Sequence, residues 1–416
     1  MTAARVRRRA FVALWLGQFV AVAGLTVVVP LLPFYLAGLG TDPDYVAWWT
    51  GVSLAAPAVA QVLAGPLWGW VGDRYGRKAM VVRALAGLAL SVGLMALAVS
   101  PAQFLACRLL QGLFGGVVPA SATFASSLAA PGRRGRALGG LFTATGAGAL
   151  VGPLLGGLLA GRYGFGPLFA GVAALLAVAV VAAAVLLTEP PREPRPGRAS
   201  VASVREVSGR LFRARHVRAL VLAGLAGQAA AYALVVVFAP RVGQITSSVG
   251  EATAWVGVLQ AATWAASLGG APWWGARNDR SRPPRSFAWA AAGCALAVAL
   301  QAVPADPELL LPLRLLQGLC FAALAQSVLH VVGRSVADSA QGSGLGVTSS
   351  LLELGQVLGP LFGALAASLL PPPAAFTAIG ALFVLAAALA MRSARLTPPV
   401  TAAARSTVPT EAGVAS

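Results

Sequence analysis

The sequence predicts an all-α integral membrane protein, with twelve transmembrane helices arranged as two pseudo-symmetric six-helix bundles. Three observations predict it. The first is apolarity: of 416 residues 58% are hydrophobic and only 11% are charged, and the mean hydropathy is +0.78. A soluble domain needs far more polar surface. The second is that the apolar residues come in runs of roughly 18–26, long enough to cross a hydrocarbon core of about 30 Å. The third is an internal repeat: Arg-Leu-Leu-Gln-Gly-Leu at 108–113 returns unchanged at 314–319.

The runs define spans at 11–36, 46–70, 79–99, 102–129, 138–160, 167–188, 217–240, 253–275, 286–303, 309–332, 343–369 and 374–391. The N-terminal Arg-rich segment followed by an apolar run resembles a signal peptide, but the run is too long and more spans follow. The net charge of +18 invites a nucleic-acid reading, which the placement of the charges excludes. With a cytoplasmic N-terminus, nearly all of the 31 basic residues fall in cytoplasmic segments or at their edges, four of them in and just beyond the loop after span 2. Only Arg162 and Arg241 fall outside, and Arg108 and Arg314 lie within spans. That is the positive-inside pattern, with anionic inner-leaflet lipid as the neighbour. It predicts a multi-pass protein of a bacterial inner (plasma) membrane with both termini cytoplasmic.

The repeat extends beyond one hexapeptide. Pro66, Trp68, Gly69, Asp73 and Arg74 in "GPLWGWVGDRYGRK" match Pro272, Trp274, Gly275, Asp279 and Arg280, 206 positions on. Gly148, Gly152, Pro153 and Gly156 match Gly355, Gly359, Pro360 and Gly363 at an offset of 207. Matched Arg, Asp, Trp and Pro carry weight in a Leu- and Gly-rich chain. Six spans are therefore duplicated in the same orientation: a bundle over 1–188, a cytoplasmic linker over 189–216 with weak helical patterning near 201–213, a second bundle over 217–395, and a small, Thr- and Pro-containing tail over 396–416 expected to be disordered.

These motifs resemble those of the major facilitator superfamily, and within it the twelve-span bacterial drug:proton antiporters. "GWVGDRYGRK" is similar to the signature loop between spans 2 and 3, "RLLQGLFGG" to the span-4 motif, "GALVGPLLGG" to the span-5 motif of antiporters, and "VVVPLLPFYL" to a span-1 pattern of drug exporters. The resemblance implies the major facilitator fold and proton-coupled export of drug-like or amphipathic small molecules by alternating access. The alternative is a facilitator, exporter or importer of a sugar or other metabolite. A non-transporting sensor on the same fold would need a large soluble segment.

The residues support their own readings. Gly69 and Gly76 permit a tight turn after span 2. Asp73 there can meet free backbone amides at the start of span 3 or pair with Arg133, Arg134 or Arg136. The resemblance makes Gly69, Asp73, Arg74, Gly76, Arg77, Lys78 and Arg136, with the weaker second copy Asp279 and Arg280, a cytoplasmic gate between the halves. Arg108 and Arg314 cost roughly 2.5–3.5 kcal/mol each within a bilayer, so they must face the bundle interior or a wet cavity. Glu353 is the one acid well inside a span, where desolvation favours a proton-exchanging carboxyl. Its alternative role is a hydrogen bond to a neighbouring helix. Glu353, Arg108 and Asp73 are the proton-coupling candidates; span 1 carries no acid.

Span 5 holds a small-residue stripe, Gly140, Ala144, Gly148, Gly152, Gly156 and Ala160, that lets another helix approach closely. Pro153 frees a carbonyl, and Gly148, Gly152, Pro153, Gly156 and Gly157 form the expected bend. Spans 1, 4, 7 and 10, which line the cavity in the resembled family, offer Gln18, Gln111, Gln228, Tyr232, Arg314 and Gln317 to a substrate. The Trp pairs at 48–49 and 273–274, with Trp68 and Trp70, read as interfacial anchors. Cys107, Cys294 and Cys320 read as small packing residues. His216 and His330 receive no role. No phosphate-binding Gly-Lys-Ser/Thr loop, Ser/His/Asp set or zinc spacing is present. The expectation is therefore a monomeric non-enzyme with no cofactor and no metal, whose partners are a small-molecule substrate, protons and membrane lipids, and not nucleic acid.

Overall fold

A computed structural model describes residues 3–128, 134–189, 209, 213–335 and 341–396. The patterning near 201–213 falls almost wholly outside the described residues, as do Arg133 and the tail from 397. The described residues are helical, without strands. In the first half the helices are α1 (Ala3–Thr26), α2 (Leu32–Gly38), α3 (Pro43–Tyr75), α4 (Arg77–Met95), α5 (Pro101–Leu113), α6 (Val117–Leu128), α7 (Arg134–Tyr163) and α8 (Phe165–Leu186). The second half has α9 (Arg215–Gln244), α10 (Val249–Arg280), α11 (Pro283–Leu300), α12 (Leu310–Ser335), α13 (Gln341–Leu369) and α14 (Pro372–Leu396).

Twelve spans result among the described residues, because α1 continues into α2 through a short 3-10 turn at Val29–Leu31, and α5 into α6 through a break. Ten spans among the described residues are long and apolar enough to cross a membrane on composition alone. The α10 and α11 spans complete the second set of six by position, and both carry polar ends. Helix starts are set locally: Ser100 and Ser248 accept from the amides three residues on, and Asp42 caps α3 beside Pro43.

The duplication is visible in the packing atom by atom. Gly148, Gly152 and Gly156 of α7 lie against the backbone carbonyls of Phe19 and Ala23 on α1 and of Val27 just after it. Gly355, Gly359 and Gly363 of α13 lie against those of Leu225, Ala229 and Ala233 on α9. Each carbonyl residue has its repeat mate 206 positions on. Only glycine lets backbones meet this closely. Pro153 sits inside α7 without interrupting it.

The halves meet through two helix pairs, α7 on α10 and α3 on α13. A methyl group on Gly257 would lie 2.5 Å from the Pro153 carbonyl and 2.9 Å from the Gly157 Cα. Its counterpart on Gly51 would lie 2.7 Å from the Pro360 carbonyl. Phe34 closes on Gly243 nearby. All of these contacts lie toward the end away from the helix α1 N-terminus. At the opposite, basic end, Gly65, Gly69 and Gly346 have nothing within 4 Å of an added Cβ. The halves touch at one end and part at the other.

Gly76 joins α3 to α4 with φ 96 and ψ 173, a region open to glycine almost alone. Its added Cβ would strike the Glu189 carboxylate. Gly76→Ala is therefore expected to destabilise the folded protein by about 1–3 kcal/mol, read as a lower thermal midpoint in detergent. An unchanged midpoint would show that the turn tolerates side chains.

Candidate functional site

A cavity of about 2180 Å³ fills the space between the halves, from Val29 and Pro30 at the closed end to Gly76, Arg77 and Glu189 at the basic end. The two arginines of the repeated hexapeptide line it. Both are nearly inaccessible, Arg108 at 4% and Arg314 at 3% exposure, so the energetic argument that they avoid lipid holds for each.

Their surroundings differ. On α5, the Arg108 Nε donates to the Ser53 carbonyl at 2.9 Å and Nη1 to Gln111 Oε1 at 2.5 Å. On α12, Arg314 donates to Gln317 Oε1 at 2.9 Å and to Gln260 Oε1, and its guanidinium lies 4.1 Å from the Phe238 ring centroid. Gln301 donates to Gln317 in turn, at 3.0 Å. The second half thus ties its arginine into three glutamines. The first half offers one glutamine and a carbonyl, because Gln260 and Gln301 correspond to Leu54 and Met95.

Glu353, on α13, opens on the same cavity, as do Gln228 and Tyr232 of α9 across from it. It is exposed to that space, and among the described residues it makes no hydrogen bond or ion pair. The hydrogen bond to a neighbouring helix is therefore not what the structure shows.

Gln18 is a correction. It points away from the cavity and donates to the Leu141 carbonyl at 3.1 Å and to Thr145 Oγ1 at 2.8 Å, tying α1 to α7. Its helix lines the cavity with Leu25 and Thr26 instead. The candidates Gln111, Gln228, Tyr232, Arg314 and Gln317 do line the cavity.

The basic end brings a second correction. Asp73 lies in the last turn of α3, because that helix continues to Tyr75 and leaves Gly76 alone as the turn; its side chain lies outside the described residues. The free amides of α4 are taken by Glu189, whose carboxylate accepts from Arg77 N at 2.7 Å and Lys78 N at 2.9 Å. An anion there also suits the helix dipole. Gly69, Gly76 and Arg77 line the open mouth, while Arg74, Arg136 and Arg280 are exposed. Asp279 faces His330 Nδ1 at 3.9 Å, joining α10 to α12.

Two tryptophans are also reassigned. Trp68 Nε1 donates to the Leu113 carbonyl at 2.6 Å and Trp274 Nε1 to the Leu319 carbonyl at 2.7 Å, again 206 positions apart. They fasten helices, whereas Trp48, Trp70 and Trp273 stay exposed, as anchors would. Cys107, Cys294 and Cys320 are free thiols.

Arg83 was hidden among the four basic residues after span 2. It lines the cavity and lies 3.9 Å from the Trp68 ring centroid. Its Nη1 reaches the carbonyls of Phe114 and Gly115 at 3.2 and 3.3 Å. Those carbonyls are freed where α5 breaks before α6 at Gly116, φ 98. The mate helix α12 is unbroken, and Trp289 occupies the matching position. Arg83→Ala is expected to lose about 1.5–3 kcal/mol of stability, the scale for hydrogen bonds to a charged group. Thermal unfolding would check this, and a silent substitution would remove the bracing role.

Two helical bundles around one charge-lined cavity define a membrane transporter of small molecules. The chain belongs to the Major Facilitator Superfamily, whose family model matches residues 14–276 and 244–416. It is 38% identical to the staphyloferrin B transporter of Staphylococcus aureus (strain NCTC 8325 / PS 47), over 90% of each chain. It is 32% identical to the multidrug resistance protein MdtG of Citrobacter koseri, over 84% of this chain and 86% of that one. Among solved structures, a bacterial homolog of the human lysosomal transporter Spinster, inward-facing and unoccupied, matches with TM-score 0.79 at 17% identity, over 95% of this chain and 98% of that one. The nucleoside transporter NupG matches with TM-score 0.75 at 14% identity, over 94% and 98%. These two likenesses concern the fold.

Proposed function

We propose that this chain exports small organic molecules by alternating access, coupled to proton movement through Glu353. One observation carries the reading: Glu353 and Arg108, from opposite halves, open on a single cavity between them. A carboxyl that no described protein group holds is free to exchange protons with water in that cavity. Arg108 biases its charge from across the seam. The basic end faces the cytoplasm by the positive-inside pattern, so the cavity receives substrate from inside. Contact between α7 and α10 and between α3 and α13 closes the far end until the halves rock. The similarity to a multidrug resistance protein and to a staphyloferrin B transporter favours such organic cargo over a sugar. In proteoliposomes loaded with a candidate substrate, an imposed proton gradient is expected to accelerate its movement away from the side of the basic end. Movement indifferent to the gradient would sink the coupling, and movement in the reverse direction would sink export.

A further inference from the structure

We propose that the cavity is built for an organic polyanion, gripped between Arg108 of one half and Arg314 of the other. This rests on the reading of the cavity as the substrate path. Three guanidiniums, those of Arg83 on α4, Arg108 on α5 and Arg314 on α12, line it. Every partner they have among the described residues is neutral: the carbonyls of Ser53, Phe114 and Gly115, the amides of Gln111, Gln260 and Gln317, and the rings of Trp68 and Phe238. None has a carboxylate within ion-pair distance among the described residues. The Nε groups of Arg83 and Arg314 are buried with no hydrogen-bond partner among the described residues.

Uncompensated cations in a low-dielectric site are costly unless an anion completes them. The described lining holds four arginines, counting Arg77 at the mouth, against two acids, Glu189 and Glu353. Glu189 is already spent on the α4 amides. Even with Glu353 ionised, the described lining keeps a surplus of positive charge. A cationic cargo would meet repulsion there, and an anion would meet three forks suited to carboxylate or phosphate oxygens.

Arg108 and Arg314 are repeat mates from the two halves, so a ligand that reaches both needs anionic groups at two ends. Leu234, Val235, Trp264 and Phe321 line the same cavity as apolar wall, which suits a carbon body rather than an inorganic ion. The charge also favours export: an inside-negative membrane potential drives an anion outward.

The test is direct binding to the purified full-length protein in nanodiscs, with no gradient. The probes are tricarballylate, fructose 1,6-bisphosphate, the trimethyl ester of tricarballylate, and tetraphenylphosphonium. At least one polyanion is expected to bind about tenfold or more tightly than the ester and the cation; which one separates carboxylate from phosphate cargo. Ester or cation binding as tight as either anion, or no anion binding, would overturn the proposal. This comparison uses the unaltered protein and does not depend on any variant folding. Arg108→Gln and Arg314→Gln, where folded, are each expected to weaken polyanion binding about tenfold, and the corresponding lysine variants to restore part of it. Unchanged affinity in both glutamine variants would also overturn it. A missing proton response in transport would leave this result standing, and a missing anion preference would leave proton coupling untouched.

Discussion

Glu353→Gln is expected to abolish gradient-driven export while leaving a folded, membrane-inserted protein. The substitution keeps the shape of the side chain and removes only its capacity to ionise. Glu353 holds no neighbour in place among the described residues, and its face of α13 opens on the cavity. Its removal therefore breaks no helix contact, and the thermal midpoint should move little. Transport driven by an imposed proton gradient should fall by about two orders of magnitude, the lower scale on which loss of a positioned proton-transfer group acts. Passive counterflow of the same substrate should persist, because the cavity walls and both arginines remain. Measuring both rates in one proteoliposome preparation separates coupling from binding. A variant that still responds to the gradient would remove Glu353 from the mechanism and leave the path to other groups.

Much of the architecture was legible in the chain because membrane folding obeys strong local constraints. Backbone groups in lipid must bond within their own helix, so apolar length alone marks a span. Duplication then made each half a check on the other. The burial of Arg108 and Arg314 could be anticipated from cost alone, since lipid would not accept either. The glycine stripe of α7 likewise announced a close helix contact.

What the chain did not disclose was partnership. Spacing gives the face of a helix and is silent on what that face meets. Gln18 sits on a cavity-lining helix, yet Thr145 and the Leu141 carbonyl lie on its other side, a contact between residues more than 120 positions apart. Trp68 and Trp274 look like any tryptophans near a span end. Their role depends on the carbonyls of Leu113 and Leu319, 45 positions on. Arg83 follows Arg77 and Lys78 closely enough to pass as one more topogenic charge. One signal could have exposed it: Gly115 and Gly116 in span 4 have Phe321 and Ala322 as repeat mates, so only the first copy must break and free carbonyls. Glu189 was equally hidden, since the linker's first acid has no counterpart in the repeat.

The same glycine geometry yields the second large effect. Gly257→Val is expected to hold the halves apart at the end where they now touch, with transport lost and the helices intact. The added Cβ would face the Pro153 carbonyl and the Gly157 Cα. Both are backbone atoms, so no side chain can swing away to make room. Overpacking of this kind costs about 1–3 kcal/mol, which amounts to a shift of about 5–150-fold in a two-state balance. Alternating access needs that contact in one state and not in the other, so the strain is expressed as a displaced equilibrium. Spin labels on Tyr163 and Val249, both exposed at this end of α7 and α10, should report a longer separation in the variant. Gly51→Val should act the same way, because its Cβ meets the Pro360 carbonyl and Ala364, the repeat equivalents of the first contact. Gly269→Val is the control on the same helix as Gly257: nothing lies within 4 Å of its added Cβ, and it should transport normally. If Gly257→Val left the separation and the transport rate unchanged, the α7–α10 seam could not be the surface on which the far end closes.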